Sequence, residues 1–175
     1  MLIISSSLNP KSKSFLLAQE AQTYFSAANI DYDFLDLREY DLPLCDAGSC
    51  YGNPVVSLLQ EKIATSKGIV CCAPIYNYDV NSALKTLLEC TGKSWQNKVV
   101  SMMVTAGGFG SYMSPVSFIN SLMLDFRCLV LPDFVYSTEA DFENSKIINV
   151  DLPKRISYLL SRQAKLADFY ITLNH

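Results

Sequence analysis

Short apolar runs alternate with longer amphipathic stretches from one end of the chain to the other. The apolar runs are rich in β-branched residues and are bounded by glycine, proline, asparagine or aspartate, as strands commonly are. They predict five strands, at residues 2–5, 32–37, 68–75, 99–106 and 128–136.

The stretches between the strands carry apolar residues at spacings of three and four, which predicts helices. Pro54 suits the first turn of the second helix, Asn81 or Ser82 is expected to cap the third, and Pro115 must lie in the first turn of the fourth. The fourth helix spans residues 113–126 and the last spans residues 152–170. The faces expected to be buried comprise Leu17, Ala21, Tyr24, Phe25, Ala28, Val55, Leu58, Leu59, Ile63, Ala83, Leu84, Leu87, Leu88, Ile156, Leu160, Ala164 and Ala167.

This alternation predicts an α/β fold with a doubly wound parallel sheet. Strands that are apolar throughout are typical of sheets covered by helices on both faces, so a three-layer sandwich is expected. Pro132 places the fifth strand at an edge of the sheet, because proline cannot donate a ladder hydrogen bond. The length and the lack of repeats or linkers favour a single domain over residues 1–175.

Composition excludes several classes of partner. The net charge is -3, with 18% charged residues and no long run of one sign, so no nucleic acid partner is expected. No apolar run reaches the roughly 18 residues of a membrane span. No basic region precedes the first apolar run, so a secretory signal is not expected and a cytoplasmic location is predicted.

The six cysteines form no CxxC pair and are interpreted as small buried hydrophobes in a reducing compartment. Cys45 and Cys50 fall in a predicted loop at residues 40–53, which leaves exposure and a redox role open for them. The only histidine is His175, the last residue. A Ser–His or Cys–His nucleophile and a Cys/His zinc site are therefore not expected, and no metal site is predicted.

Ligands of open α/β sheets bind beyond the carboxyl ends of the strands. The loop after the first strand, residues 5–14, is serine-rich, contains Lys11 and Lys13, and leads into a helix. Hydroxyls and free amides at a helix N-terminus favour phosphate binding, although a simple helix cap is the alternative. The loop lacks both GxxxxGK[ST] and GxGxxG, which favours a terminal phosphate monoester over a dinucleotide.

The loops after the third and fourth strands complete this edge. Pro74 ends the third strand, and Tyr76, Asn77 and Tyr78 follow it, which suits a flat heterocycle that needs ring contacts and hydrogen bonds. The loop after the fourth strand, TAGGFG, has three glycines that allow close approach of a ligand to the backbone. Each loop alone is equally consistent with an ordinary turn.

Taken in order, the three loops resemble those of the NAD(P)H-dependent FMN reductase family of the flavodoxin-like superfamily. The matching segments are the serine loop, the run Pro74, Tyr76, Asn77, Leu84 and Lys85, and the run Ala106, Gly107 and Gly108. The resemblance covers nearly the whole chain. It implies a five-stranded parallel sheet in the order 2-1-3-4-5 and a homodimer or homotetramer.

The resemblance also implies a role for each loop. Residues Ser7, Asn9, Ser12 and Ser14 would hold the FMN phosphate, with Lys13 adding positive charge. The ribityl chain and the ring would be lined by Pro74, Ile75, Tyr76, Asn77 and Tyr78. The pyrimidine end of the ring would contact Thr105, Ala106, Gly107, Gly108, Phe109 and Gly110. No side chain is assigned a catalytic role, because the flavin itself carries out hydride transfer.

Three positions depart from the pattern of the family. Ser6 stands where glycine is common, Asn9 where many members have arginine, and Asn81 with Ser82 where a Pro-Gly pair is frequent. The expected function is hydride transfer from NADPH or NADH to bound FMN, and then to a small acceptor such as a flavin, quinone or azo compound. A flavodoxin-like electron carrier and a flavin-based regulatory module remain as alternatives.

Overall fold

The computed structural model describes residues 1–173, with side chains to Tyr170, so His175 lies outside the described residues. The central sheet contains seven strands. They are β1 (Leu2–Ser5), β2 (Asp33–Asp36), β3 (Gly68–Tyr76), β4 (Asp79–Val80), β5 (Val99–Ala106), β6 (Leu129–Val130) and β7 (Val135–Thr138). A separate two-stranded sheet pairs β8 (Phe142–Glu143) with β9 (Lys146–Ile147).

The parallel strands follow the order β2-β1-β3-β5, with β6 and β7 both beside β5 at the edge. Since β5 is the predicted fourth strand and β6 and β7 together are the predicted fifth, the order 2-1-3-4-5 is confirmed. The strand β4 adds an antiparallel pairing to the end of β3 that was not predicted.

The helices cover both faces of the sheet, which confirms the three-layer sandwich. They are α1 (Lys13–Ala27), α2 (Pro54–Thr65), α3 (Ser82–Thr91), α4 (Val116–Phe126) and α5 (Leu152–Leu173). One face of the sheet packs against apolar residues of α2, α3 and α4, and the other against α1 and α5. Within the described residues, no helix has the length and apolar character needed to cross a membrane.

The predicted fifth strand is broken in the middle. Val100 of β5 pairs with Val130 of β6, whereas Met103 of β5 pairs with Val135 of β7. Four residues of the edge strand thus oppose two of β5, a bulge that contains Pro132. The edge position predicted from Pro132 is confirmed, and a continuous strand over residues 128–136 is wrong, because proline cannot complete the ladder.

Some helix faces were predicted wrongly. Leu58 is 44% exposed, and Val56 is buried instead, because Val56, Leu59 and Ile63 follow one another at spacings of three and four and so share the inner face of α2. Ala28 is exposed at the C-cap of α1, just beyond the end of the helix. Helical periodicity counts apolar side chains, so it could not indicate which polar side chains are buried.

Gln163 of α5 is the clearest buried polar residue that was missed. It is fully buried, whereas Ala164, which was predicted to face the core, is half-buried. Its Nε2 donates to the carbonyls of Ile69 and Val99, and its Oε1 accepts from Ser101 Oγ at 2.6 Å. These hydrogen bonds tie α5 to two central strands and satisfy the amide in the core.

The six cysteines are free thiols. Five are buried, which confirms the interpretation as small hydrophobes, and Cys45 is half-buried. The sequence allowed Cys50 to be exposed, but its side chain is only 3% exposed. A short 3-10 helix, Ser49–Gly52, turns its thiol inward within the long loop that precedes α2.

Candidate functional site

Three loops meet at the carboxyl ends of β1, β3 and β5 and enclose a cleft of about 200 Å³. The predicted residues that line it are Ser7, Asn9, Ser12, Lys13, Ser14, Pro74, Ile75, Tyr76, Thr105, Ala106 and Gly107. Lys11 and Glu139 complete the lining. Asn77, Tyr78, Gly108, Phe109 and Gly110 lie outside this lining, in the same two loops, and are exposed.

The first loop shapes itself with its own polar groups. The Lys11 amide donates to Asn9 Oδ1 at 2.9 Å, the Ser12 amide donates to Asn9 O at 3.1 Å, and the Asn9 amide donates to Ser7 Oγ at 3.3 Å. The side-chain oxygen of Asn9 therefore takes part in an Asx-type turn. Asn9 thus acts as a scaffold of the loop.

The N-terminus of α1 supplies hydrogen-bond donors to the cleft. Ser12 is the N-cap, and its Oγ accepts from the Phe15 amide at 3.2 Å. The amides of Lys13 and Ser14 have no acceptor among the described residues. Unpaired amides and the helix dipole favour an anion at this position. Ser12 Oγ and Ser14 Oγ lie 2.9 Å apart, so one hydroxyl donates to the other and the second keeps its proton for the cleft.

An ion pair closes one side of this anion site. Lys13 Nζ lies 3.1 Å from a carboxylate oxygen of Glu139, and both side chains are partly exposed. Glu139 follows β7, and nothing in the local sequence around it indicated a place in the cleft. The negative charge of Glu139 offsets the positive charge of Lys13 and repels an anionic ligand.

Ser6 and Asn81 join the first loop to the second. Ser6 Oγ donates to Asn81 Oδ1 at 2.7 Å, and Asn81 Nδ2 donates to Ser6 O at 2.8 Å. The Ser6 amide also donates to Cys72 O at 3.0 Å, which ties the loop to β3. Asn81 is the N-cap residue of α3, but its side chain makes no capping hydrogen bond. Two of the departures from the family pattern are thus partners in one buried contact.

The second loop is a tight hairpin between β3 and β4. Ile75 pairs with Val80 and Tyr76 with Asp79, which leaves Asn77 and Tyr78 as a two-residue turn. Their φ angles are 51° and 62°, so the turn has the left-handed conformation of type I′. Asparagine tolerates this conformation, but tyrosine adopts it at a cost of about 1–2 kcal/mol. Strain of this kind in a cleft is often associated with function.

The third loop offers backbone without covering side chains. A Cβ atom built on Gly107 or Gly108 would meet nothing within 4 Å, and neither residue has a positive φ. The fold itself therefore does not require glycine at these positions. Free space over a glycine backbone beside a cleft is what a closely approaching flat ligand needs.

Tyr136 of β7 holds the third loop in place, and no pattern in the sequence indicated it. Its hydroxyl group donates to Gly108 O and lies 2.9 Å from Ser111 Oγ. The neighbouring Thr105 Oγ1 lies 2.9 Å from Ser137 Oγ. The alternation of residues along β7 does not predict these contacts, because their partners lie in β5 and the loop after it, about thirty residues earlier.

A larger cavity of about 550 Å³ lies at the opposite edge of the sheet. Its lining includes Met1 and Asp33, at the amino ends of strands β1 and β2, and Lys62 of α2. Lys62 and Asp33 form an ion pair at the surface. Ligands of open α/β sheets bind at the carboxyl ends instead. The smaller cleft, where the predicted loops converge, is therefore the candidate site.

A model of the NADPH-dependent FMN reductase family matches residues 1–142, the part of the chain that contains all three loops of the cleft. The chain belongs to this family. Its members are flavin-dependent NAD(P)H oxidoreductases, so FMN is the cofactor and NAD(P)H the reductant.

Solved structures agree on the fold. FerB, a flavoenzyme NAD(P)H:(acceptor) oxidoreductase from Paracoccus denitrificans, is 16% identical with a TM-score of 0.78, and the match covers 97% of both chains. RosB, solved with a bound riboflavin-phosphate intermediate, is 16% identical with a TM-score of 0.79 over 99% of this chain and 81% of its own. An FMN-dependent NADH-azoreductase from Bacillus anthracis is 12% identical with a TM-score of 0.67, covering 93% and 98%.

Proposed function

We propose that the cleft formed by the three loops holds FMN, with the phosphate on the first loop and the ring against the second and third. The observation that carries this proposal is the pairing, in one cleft, of unpaired helix amides at Lys13 and Ser14 with uncovered backbone at Gly107. The unpaired helix amides suit a phosphate monoester, and the uncovered backbone suits a flat ring.

The donor set fits the phosphate. The donors are the amides of Lys13 and Ser14, the free hydroxyl proton of the Ser12–Ser14 pair and the Lys13 ammonium group. Among the residues lining the cleft, Glu139 is the one with a negative charge. A charge-assisted hydrogen bond to phosphate is about twice as strong as a neutral one. We expect moderate affinity, because Asn9 supplies no positive charge and Glu139 offsets that of Lys13.

The cleft of about 200 Å³ is small for a whole flavin nucleotide. We therefore place the phosphate and ribityl chain within it and the ring over the open rim at Tyr76, Asn77 and Tyr78. FMN held there would supply the redox chemistry that links NAD(P)H to a second substrate. The residues of the chain bind and orient the ring, and none of them needs to act as an acid or base.

The acceptor is proposed to be a small molecule such as a free flavin, quinone or azo compound. The rim beside the cleft is apolar and exposed, since Tyr78 is 72%, Phe109 77% and Met113 65% exposed. Exposed apolar patches commonly mark interaction sites, so we propose that this rim is covered by a second copy of the chain in a homodimer or homotetramer. A cytoplasmic location is proposed on the composition of the chain.

An absorption spectrum of the purified protein with added FMN tests the site, followed by anaerobic titration with NADH and NADPH. We expect saturable FMN binding and bleaching of the flavin bands by at least one of the two. The Ser12→Ala, Ser14→Ala double variant should bind FMN at least about 10-fold more weakly, since it removes both hydroxyl groups from the proposed phosphate site. An Ala substitution of exposed Ser57 on α2 is the matched control. Unchanged affinity in the double variant would place the phosphate in another loop.

A further inference from the structure

Three thiols converge outside the cleft. The sulfur atoms of Cys45, Cys50 and Cys90 all lie within 4.8 Å of one another, and those of Cys45 and Cys50 are 3.9 Å apart. In the sequence, Cys45 and Cys50 are separated from Cys90 by helix α2 and strand β3. Spacing along the chain therefore gave no indication of this cluster, which the fold assembles.

The loop around the thiols is held by a carboxylate. Asp46 Oδ1 accepts from the amides of Gly48 and Cys50 at 3.0 Å each. Cys90 lies in the last turn of α3, and its Sγ lies 3.5 Å from Pro43 O. The three sulfur atoms thus come from a braced loop and a helix, a combination that preorganises them relative to one another.

The thiols differ in accessibility. Cys50 and Cys90 are 3% and 1% exposed, and burial raises the pKa of Cys90 to about 12. Cys45 is half-buried, and the Ala47 amide, followed by the Tyr51 hydroxyl group, lowers the pKa of its thiol. Cys45 is therefore the thiol that solvent reaches, while the other two lie behind it.

The packing of small apolar side chains does not by itself explain why three thiols meet at one point. Cys45 is partly exposed and Val56 is the only other fully buried member of the small apolar cluster around Cys50 and Cys90, among the described residues. A disulfide accounts for it poorly as well, since an S–S bond of about 2.05 Å would join only two of the three sulfurs. Zinc–sulfur bonds of about 2.3 Å, by contrast, place tetrahedral ligand sulfurs about 3.8 Å apart.

We propose that Cys45, Cys50 and Cys90 bind one thiophilic cation, Zn²⁺ or Cu⁺. Thiolate ligands select these ions over Mg²⁺ and Ca²⁺, which prefer oxygen. On binding, the thiols that become ligands release their protons to solvent. The half-buried side at Cys45 provides the entry path and leaves a fourth position for water, as Zn²⁺ requires. The Tyr51 hydroxyl group lies 3.9 Å from Cys45 Sγ, where it would donate a hydrogen bond to the sulfur bound to the cation.

This site is separate from the proposed FMN cleft. Asn81 lies at the N-terminal end of α3, beside the cleft, and Cys90 lies near its C-terminal end. A helix of this length places the two about 14 Å apart. The cation site therefore does not rest on the proposed FMN site, and loss of one is expected to leave ligand binding at the other intact.

The test is a competition titration of the reduced, metal-free full chain under anaerobic conditions. Zn²⁺ and Cu⁺ are each delivered against a chromophoric chelator, with Mg²⁺ as the negative control. We expect saturable binding of one Zn²⁺ or one Cu⁺ per chain, and the preferred ion identifies the occupant. Cys45→Ser should weaken that binding at least about 100-fold, because it removes a ligand outright. Cys128→Ala, a buried thiol outside the cluster, should bind as the unmodified chain does.

FMN binding is measured on the same samples as a check of the fold. Cys45→Ser alters only a half-buried side chain, so it should fold and bind FMN normally. Failure of the unmodified chain to bind either cation at a ratio of one would overturn the proposal. Equal affinity in Cys45→Ser and the unmodified chain would also overturn it, since the thiols would then not be the ligands.

Discussion

Ser6 and Asn81 exchange two hydrogen bonds, 2.7 and 2.8 Å long, across a buried gap between the first and second loops of the cleft. Both residues are at most 5% exposed. The contact sets the separation of the loop expected to hold the phosphate from the loop expected to contact the ring.

The Ser6–Asn81 contact should appear as thermodynamic coupling. Ser6→Ala and Asn81→Ala should each lower the free energy of unfolding by about 1–3 kcal/mol, since each leaves a buried polar group unpaired. The double variant should lose less than the sum, with a coupling of about 1 kcal/mol or more. Urea denaturation of the four proteins measures this. Ser121→Ala, whose hydroxyl is exposed, is the matched control, and strict additivity would contradict the coupling.

Gly107→Ala should separate stability from FMN binding. A Cβ atom there meets no protein atom within 4 Å, and φ is not positive, so stability should be unchanged or rise by up to about 1 kcal/mol. The same methyl group would occupy space proposed for the ring. FMN affinity should therefore fall by about 5- to 150-fold, as overpacking costs about 1–3 kcal/mol.

Flavin titration and thermal unfolding of the same Gly107→Ala sample measure both effects. Gly52→Ala is the control, because a Cβ there also meets nothing and the residue lies far along the chain in the loop before α2. Equal FMN affinity in Gly107→Ala and the unmodified chain would place the ring elsewhere.

Glu139→Gln should strengthen FMN binding, which is unusual for a change in a binding cleft. It removes the negative charge that pairs with Lys13 and leaves a similar shape. Because the pair is partly exposed and screened by solvent, the gain should be only about 2- to 5-fold. The gain should shrink at high salt, where exposed charges are screened.

Lys13→Met should have the opposite effect on FMN affinity, and Glu61→Gln, an exposed charge on α2, should have none. Fluorescence titrations at low and high ionic strength compare the variants. Weaker binding in Glu139→Gln would show that the carboxylate positions Lys13 and does not compete with the phosphate.

Tyr78→Gly should stabilise the fold while impairing the proposed activity. Glycine relieves the left-handed conformation at φ 62°, so the free energy of unfolding should rise by about 1 kcal/mol. Loss of the aromatic ring beside the proposed flavin site should lower NAD(P)H turnover about 2- to 10-fold. Steady-state kinetics and thermal unfolding test the two effects.

The hairpin between β8 and β9 supplies a matched control for Tyr78→Gly. Its turn also has two residues with positive φ, Asn144 at 47° and Ser145 at 59°. Ser145→Gly should raise stability in the same way and leave turnover unchanged. Full activity in Tyr78→Gly would mean that neither the ring of Tyr78 nor its strained backbone has a role in turnover.

The sequence by itself determined the layers of the fold and the location of the candidate cleft. Apolar strands separated by amphipathic helices leave few α/β arrangements, and the carboxyl ends of parallel strands must share one edge. The serine loop, the residues after Pro74 and the glycine run each follow such a strand, so the strand pattern alone assigns them to one site. These signals are local, so periodicity and turn chemistry reveal them.

The tertiary structure alone decided which distant side chains meet. Glu139 beside Lys13, Tyr136 under the glycine loop and Gln163 in the core depend on contacts over tens to about a hundred residues. The thiols of Cys45, Cys50 and Cys90 converge for the same reason. A side chain has the same local pattern wherever its partner lies, so only packing of the helices on the sheet selects these neighbours.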